Sequence, residues 1–157
     1  MSTASPTVVT FIAAGFNTTD SRPEFINPEN FGDDVARVLM ERLRGQGVSV
    51  DPELGQEDYG WYFSFTTGGR EYDFLLGLRD GELSEWVGWL ESGAGFFASL
   101  FGARKRGVQP EAVRALDAAL SALPSVRDVR WHLRADFDSG REERGIPGPL
   151  PDPGVGA

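Results

Sequence analysis

The chain has 157 residues, a hydrophobic fraction of 40% and a formal net charge of −9, which together predict one soluble globular domain. It contains no cysteine, which excludes disulfides, thiol catalysis and cysteine-ligated zinc. No apolar run is long enough to cross a membrane and no secretory signal is visible, so we expect a cytoplasmic protein without stable membrane insertion.

The negative charge is concentrated in the first part of the chain. Residues 1–91 contain sixteen acidic and six basic residues, whereas residues 92–157 contain eight acidic and nine basic ones. Nucleic-acid binding requires phosphate neutralisation, so this balance argues against a nucleic-acid partner. An acidic body would instead steer a basic protein partner towards it, although surface charge also serves solubility alone.

The first predicted elements are a buried strand and an amphipathic helix. Residues 7–14 are mostly apolar and rich in β-branched side chains, which is typical of a buried strand. A long polar connection follows at residues 16–30, and connections of this length are commonly functional or packed as a cap. Residues 31–44 then carry an apolar stripe at helical spacing, formed by Val35, Val38, Leu39 and Leu43.

The middle of the chain predicts an antiparallel meander with one aromatic face. Residues 48–58 form an acidic loop, in which residues 48–50 are a candidate for a short edge strand. Residues 61–66 and 70–78 then alternate apolar and polar side chains around a Gly-Gly turn, which indicates a β-hairpin. Residues 85–91 are a third candidate strand. The side chains expected beneath the helices are Trp61, Phe63, Phe65, Tyr72, Phe74 and Leu76.

The last part of the chain predicts a basic loop, a helix, a strand and a tail. Residues 92–109 are interrupted by glycines and contain apolar residues followed by a basic run. Residues 110–123 have an apolar helical stripe, and residues 126–137 alternate as a strand does, which places Trp131 and Phe137 on the same face. Nine of the nineteen residues from 139 onward are Gly or Pro, so we predict a flexible tail at 139–157 beyond a single domain at 1–138.

The resulting order, β-α-β-β-β-α-β, predicts an α+β two-layer sandwich. We expect an antiparallel sheet of about five strands with two helices packed on one face. Trp86 and Trp89 differ in parity along one strand, so one of them should lie on the face without helices. An exposed tryptophan is a favoured hot-spot residue for partner binding, and ordinary packing is the competing explanation.

The predicted working surface lies on the two flanks of the aromatic middle. The acidic side chains before it could dock a basic partner, could support acid–base chemistry if burial raised a carboxyl pKa, or could be a solvated rim. The loop after it is apolar and then basic, like a short membrane-surface element, but glycines interrupt it. The residues assigned to partner binding are Asp51, Glu53, Glu57, Asp58, Asp73, Trp86, Trp89, Arg104, Lys105 and Arg106.

No motif predicts catalysis, a metal ion or a cofactor. His132 is the only histidine, and Arg130 and Arg134 flank it at two-residue spacing, where positive charge would lower the imidazole pKa. A Ser-His-Asp site needs a nucleophile and an orienting carboxylate, which the sequence does not display beside it. The spacing of Asp136 and Asp138 resembles the start of a calcium loop but lacks the third acid and the bidentate glutamate.

Several segments together resemble a family of small uncharacterised bacterial proteins. The motifs, which cover nearly the whole chain apart from the tail, are F-N-T-T, F-I-N-P-E-N-F-G-D-D, G-Q-E-D-Y-G-W-Y-F, W-V-G-W-L-E, S-L-F-G-A-R-K-R-G and D-V-R-W-H-L. The family has no established activity, so the resemblance implies only a bacterial protein that forms a single unit.

The sequence therefore favours a non-enzymatic protein-binding module, with an acidic immunity-type or regulatory protein that docks a basic partner as its concrete form. The alternative is a small hydrolase or small-ligand-binding protein that uses the acidic loop and the open sheet face. The oligomeric state is left open by both hypotheses.

Overall fold

The computed structural model describes residues 5–21, 23, 25, 28, 30–57, 60–92 and 107–148. The strands are β1 (Val8–Ala13), β2 (Ser49–Val50), β3 (Gly55–Glu57), β4 (Gly60–Thr67), β5 (Arg70–Asp80), β6 (Glu85–Ser92) and β7 (Val126–His132). The helices are α1 (Asp33–Gly45), α2 (Pro110–Ser121) and α3 (Arg134–Asp138), and a 3-10 helix follows at Glu142–Arg144.

All strand pairs in the sheet are antiparallel. The strand order is β2-β4-β5-β6-β1-β7, and β3 also pairs with β4, at the same edge as β2. The α+β class and the antiparallel sheet are thus confirmed, but seven strands replace the expected five and their order along the chain differs accordingly. The difference arises because the acidic loop contributes two short strands that pair with β4.

One face of the sheet, called the helix-covered face below, packs against α1 and α2 and holds the core. Every side chain predicted to lie beneath the helices is at most 2% exposed. The two helices bury their predicted stripes against this face, including Leu39 and Leu43 from α1 and Leu116 and Leu120 from α2. The alternation predicted for β4 and β5 is therefore confirmed.

Two positions on the meander require glycine for different reasons. At the hairpin between β4 and β5, Gly68 and Gly69 have φ values of 59° and 75°, the left-handed pair that two-residue hairpins favour. Gly88 in β6 lies directly beneath the ring of Phe74, and a Cβ atom there would be 2.2 Å from Phe74 Cζ. The tight core packing of this strand therefore depends on the missing side chain.

The opposite face of the sheet, called the open face below, is crossed near β1 and β7 by residues 134–146, called the C-terminal segment. Strand β7 ends at His132 and does not continue to residue 137 as predicted, because the chain turns into α3 after Leu133. Phe137, expected on the same face as Trp131, instead packs edge-to-face against Trp89 on the open face, with ring centroids 6.4 Å apart.

The C-terminal segment ends at the outer edge of β7. Trp131 N donates to Ile146 O at 2.8 Å, and Ile146 N donates back to Trp131 O at 2.9 Å. Glu142, Gly145 and Ile146, which belong to the predicted tail, thus contact the sheet, while the boundary at residue 138 stays a prediction. No helix in the described part of the chain combines the length and apolar character needed to span a membrane.

Candidate functional site

The two tryptophans of β6 lie on opposite faces of the sheet, which confirms the parity argument. Trp86 is fully buried on the helix-covered face, where its Nε1 donates to Ala13 O at 3.1 Å. Trp89 is half-buried on the open face beside Phe137. Trp86 therefore cannot contact a partner in this conformation, whereas Trp89 has one accessible side.

Four of the predicted binding residues, Asp58, Arg104, Lys105 and Arg106, lie outside the described residues. The structure thus carries no description of the basic run that was assigned to the loop after the aromatic middle. The remaining predicted acids are described, and three of them are brought together by the short strands at the edge of the sheet.

These three acids and one tyrosine form what we call the acidic edge, consisting of Asp51, Glu53, Glu57 and Tyr62. Asp51 and Glu53 are exposed and Glu57 is half-buried. Strand β3 places Gly55 opposite Tyr62, and a Cβ atom at Gly55 would lie 2.3 Å from Tyr62 Cζ. The tyrosine ring therefore lies across the glycine, and this fixes its hydroxyl near the acids.

The pKa of Tyr62 reflects the negative charge of the acidic edge. Burial raises the pKa of Tyr62 above its ordinary value of 10.0, and the negative charges of Glu57, Asp73 and Asp51 raise it further. Among the described residues, no basic side chain forms an ion pair with any of the three edge acids. Arg44 reaches only the backbone carbonyl of Asp51, at 3.0 Å.

Asp73 connects the acidic edge to the centre of the open face. It is only 7% exposed, and its Oδ1 accepts a hydrogen bond from Ser64 Oγ at 2.6 Å. It lies opposite Glu91 in the β5–β6 register, and Glu91 in turn pairs with Arg134 at 3.0 Å. The pair of carboxylates formed by Asp73 and Glu91 thus belongs to a polar network of the sheet. No group of three or more metal-ligating side chains is found in the described ranges.

A second polar cluster surrounds His132 at the other side of the open face. His132 Nε2 lies 2.9 Å from Thr10 Oγ1, a contact between residues 122 positions apart in the chain. A cavity of about 210 Å³ adjoins it, lined also by Glu85, Arg130 and Glu142. Sequence reasoning missed Thr10 because only the pairing of β1 with β7, which places Val8 opposite His132, brings it there.

The pKa of His132 is lowered from its ordinary value of 6.5, chiefly because the ring is buried. Glu142 acts in the opposite direction and raises it, while Arg79 and Arg130 lower it further. The pKa of His132 is therefore lowered, as predicted, but burial of the ring lowers it more than the neighbouring positive charges do. Arg134, one of the two arginines expected to act, is paired with Glu91 and Asp138.

The Thr10–His132 contact has the form of a nucleophile and its base, but the described residues do not complete a catalytic triad around it. In the described part of the chain, no carboxylate bonds to His132 Nδ1, although such an orienting group is what holds the imidazole of a catalytic triad. Thr10 is also only 7% exposed, in the middle of a strand. The geometry therefore does not support nucleophilic catalysis.

Comparisons with known proteins give no family assignment. No protein-family model, curated protein or solved structure matches the chain. The resemblance to a bacterial family therefore stays a prediction, and the function has to be argued from the residues themselves.

Proposed function

We propose that this protein is a non-enzymatic protein-binding module that docks a basic partner on its acidic edge. The supporting observation is that Asp51 and Glu57 lie close enough to Tyr62 to raise its pKa, and that Asp51, Glu53 and Glu57 form no ion pair with any described basic side chain. Unpaired carboxylates at one edge create a local negative potential, which accelerates the approach of a positive surface and selects for it. Tyrosine adds the kind of aromatic contact that is enriched in binding hot spots.

The concrete form of this proposal is an immunity-type or regulatory protein in the bacterial cytoplasm. Such a protein must meet its partner quickly, and charge complementarity mainly increases the association rate. Nucleic acid does not fit the same edge, because phosphates and carboxylates repel each other. The surface comprises the acidic edge and the accessible side of Trp89 on the open face, and it excludes Trp86 and Asp73 because both are buried.

A charge-reversal pair tests the proposal. The edge variant carries Asp51→Lys, Glu53→Lys and Glu57→Lys, and the control carries the same charge change in turns and the 3-10 helix, at Asp20, Glu82 and Glu143. Tagged wild type and both variants are used to capture partners, with crosslinking, from a lysate of the source bacterium at low and high salt. We expect a basic protein that the wild type and the control recover at low salt, that the edge variant loses, and that salt releases.

The capture experiment has two outcomes that contradict the proposal. One is the absence of any reproducible partner even after crosslinking. The other is a partner that the edge variant and the control bind equally well, because binding would then not depend on the acidic edge.

The alternative, a small-ligand-binding protein or hydrolase, draws on the cavity beside His132. This cavity combines the hydroxyl of Thr10, the guanidinium of Arg130 and the carboxylates of Glu85 and Glu142. A thermal-shift screen of metal ions and metabolites tests it, with Arg130→Gln and Asp73→Asn to separate the cavity from the predicted acidic site. Stabilisation that Arg130→Gln abolishes would support a ligand in this cavity, and no stabilisation by any ligand class would count against this alternative.

A further inference from the structure

His132 is sealed beneath the C-terminal segment. Its side chain is only 2% exposed, and Nε2 contacts Thr10 Oγ1 on one side of the ring. On the other side, the buried Nδ1 has no hydrogen-bond partner among the described residues. The backbone of Gly145 lies against this atom so closely that a Cβ atom there would be 2.7 Å from Nδ1.

The contacts that hold the C-terminal segment on the sheet are mostly polar. Arg79 forms ion pairs with Glu142 of the segment and with Glu85 of β6, and its guanidinium carbon lies 5.3 Å from the centroid of the Phe137 ring. Neither α3 nor the 3-10 helix contains a buried residue. Elements with few buried apolar contacts open at low free-energy cost, so this segment can detach while the sheet stays folded.

We propose that the C-terminal segment is an acid-released cover of the open face, which stays closed while His132 is neutral and opens when His132 takes up a proton. A protonated imidazole carries N–H groups on both nitrogens. In the closed form, the charged N–H at Nδ1 would be buried against Gly145 with no acceptor, which is a costly arrangement. Detachment of the segment hydrates this group and uncovers the side of Trp89 that packs against Phe137.

Two of the three charged groups around the imidazole of His132 oppose its protonation. Arg79 from β5 and Arg130 from β7 disfavour a second positive charge on His132, and Glu142 from the segment itself favours one. Glu142 is already bound to Arg79, and this hydrogen bond lowers its own pKa below the ordinary 4.5. Acid therefore weakens the closed form first at His132 and, at lower pH, also by protonating Glu142.

The sign of the pH dependence follows from the lowered pKa of His132 in the closed form. The closed form is favoured in full above the ordinary pKa of 6.5, because neither form then binds the proton. Below that pH the open form binds one more proton than the closed form. The ratio of open to closed molecules therefore rises about tenfold for each unit by which the pH falls, until the pH reaches the pKa of His132 in the closed form.

This switch goes beyond the proposed function and does not depend on it, because uncovering Trp89 needs no partner. The test is acrylamide quenching of tryptophan fluorescence between pH 7.5 and 5.0 in the full chain. Trp61, Trp86 and Trp131 are at most 2% exposed, so a rise in quenching at low pH reports Trp89. We expect that rise in the wild type and its loss in Trp89→Phe.

Two further variants assign the rise to His132. In His132→Gln the amide can still reach Thr10 but cannot be charged in this range, so quenching should stay low at pH 5.0. In Gly145→Ala the added methyl group would overlap the imidazole, since it would lie 2.5 Å from His132 Cε1. This variant should show the high, open-form quenching already at pH 7.5.

Two outcomes would overturn the switch. The first is the same acid-induced rise in His132→Gln as in the wild type, since another group would then be responsible. The second is low quenching in both the acidified wild type and Gly145→Ala. If His132→Gln does not fold, NMR of the wild type tests the proposal instead. The signals of the His132 ring and the Gly145 amide should then change together with pH, with a midpoint below 6.5. Independent changes of the two signals would contradict the proposal.

Discussion

Trp86 and Trp89 are three positions apart in one strand, yet they lie in two different environments. Trp86 is fully buried among apolar side chains beneath the helices, with its indole N–H satisfied by Ala13 O. Trp89 lies on the open face between a carboxylate network and the polar cover formed by the C-terminal segment. The contrast shows that the two faces differ in chemistry: the helix-covered face holds the apolar core, and the open face holds the titratable residues His132, Asp73 and Glu91.

The largest expected effect is on the free energy of unfolding, when Trp86 and Trp89 are each replaced by alanine in separate variants. Trp86→Ala should lower the free energy of unfolding by about 3–5 kcal/mol, because it leaves a large cavity in a closely packed core. Trp89→Ala should cost about 1–2 kcal/mol, since its side chain is only half-buried. Urea unfolding followed by far-UV circular dichroism measures both without relying on fluorescence. Equal losses would mean that the open face contributes to cohesion as much as the helix-covered face does.

A smaller effect tests how tightly the helix-covered face is packed. Gly88→Ala should lower the free energy of unfolding by about 1–3 kcal/mol, because its methyl group would overlap the ring of Phe74. The matched control is Gly45→Ala at the end of α1, where a Cβ atom meets nothing within 4 Å. Alanine is the better helix former by up to about 1 kcal/mol, so the control should be neutral or slightly stabilising. A neutral Gly88→Ala would contradict the close approach of the Phe74 ring.

The smallest effect is a shift in the pKa of Tyr62 with no required change in stability. Replacing Asp51 and Glu57 by Asn and Gln removes two of the charges that raise this pKa, so it should move down towards 10.0. Glu53→Gln is the control, since Glu53 is not among the groups that raise it. NMR of ring-labelled tyrosine, assigned with Tyr62→Phe, measures the shift. A larger change in the control than in the double variant would refute the described geometry of the acidic edge.

The faces of β4 and β5 were predictable because both strands are long and regular, so a period of two assigns every side chain to a face. The same rule failed at the end of β7. Alternation continues in the sequence to residue 137, but α3 has only five residues, too few for helical spacing to become visible. Phe137 was consequently assigned to the wrong face.

The candidate sites were less predictable than the fold because they depend on pairing between distant segments. The acidic edge exists because β2 and β3 pair with β4. The sequence offered residues 48–50 as a short edge strand, but no local pattern indicated β3 or the pairing of either strand with β4. The contact between Thr10 and His132 requires the register of β1 against β7. Asp73 has the alternation of an exposed acid, yet it is buried and accepts a hydrogen bond from Ser64.

The pairing of Ile146 with Trp131 also bears on how one molecule avoids binding to another. Strand β7 is the last in the sheet, and its outer edge would otherwise present free N–H and C=O groups. Such edges act as templates for strands of other chains and promote aggregation. Ile146 occupies the donor and the acceptor of Trp131, and Asp128 distorts the strand further along with a left-handed φ of 55°. The C-terminal segment that covers His132 therefore also keeps this edge of the sheet from adding a foreign strand.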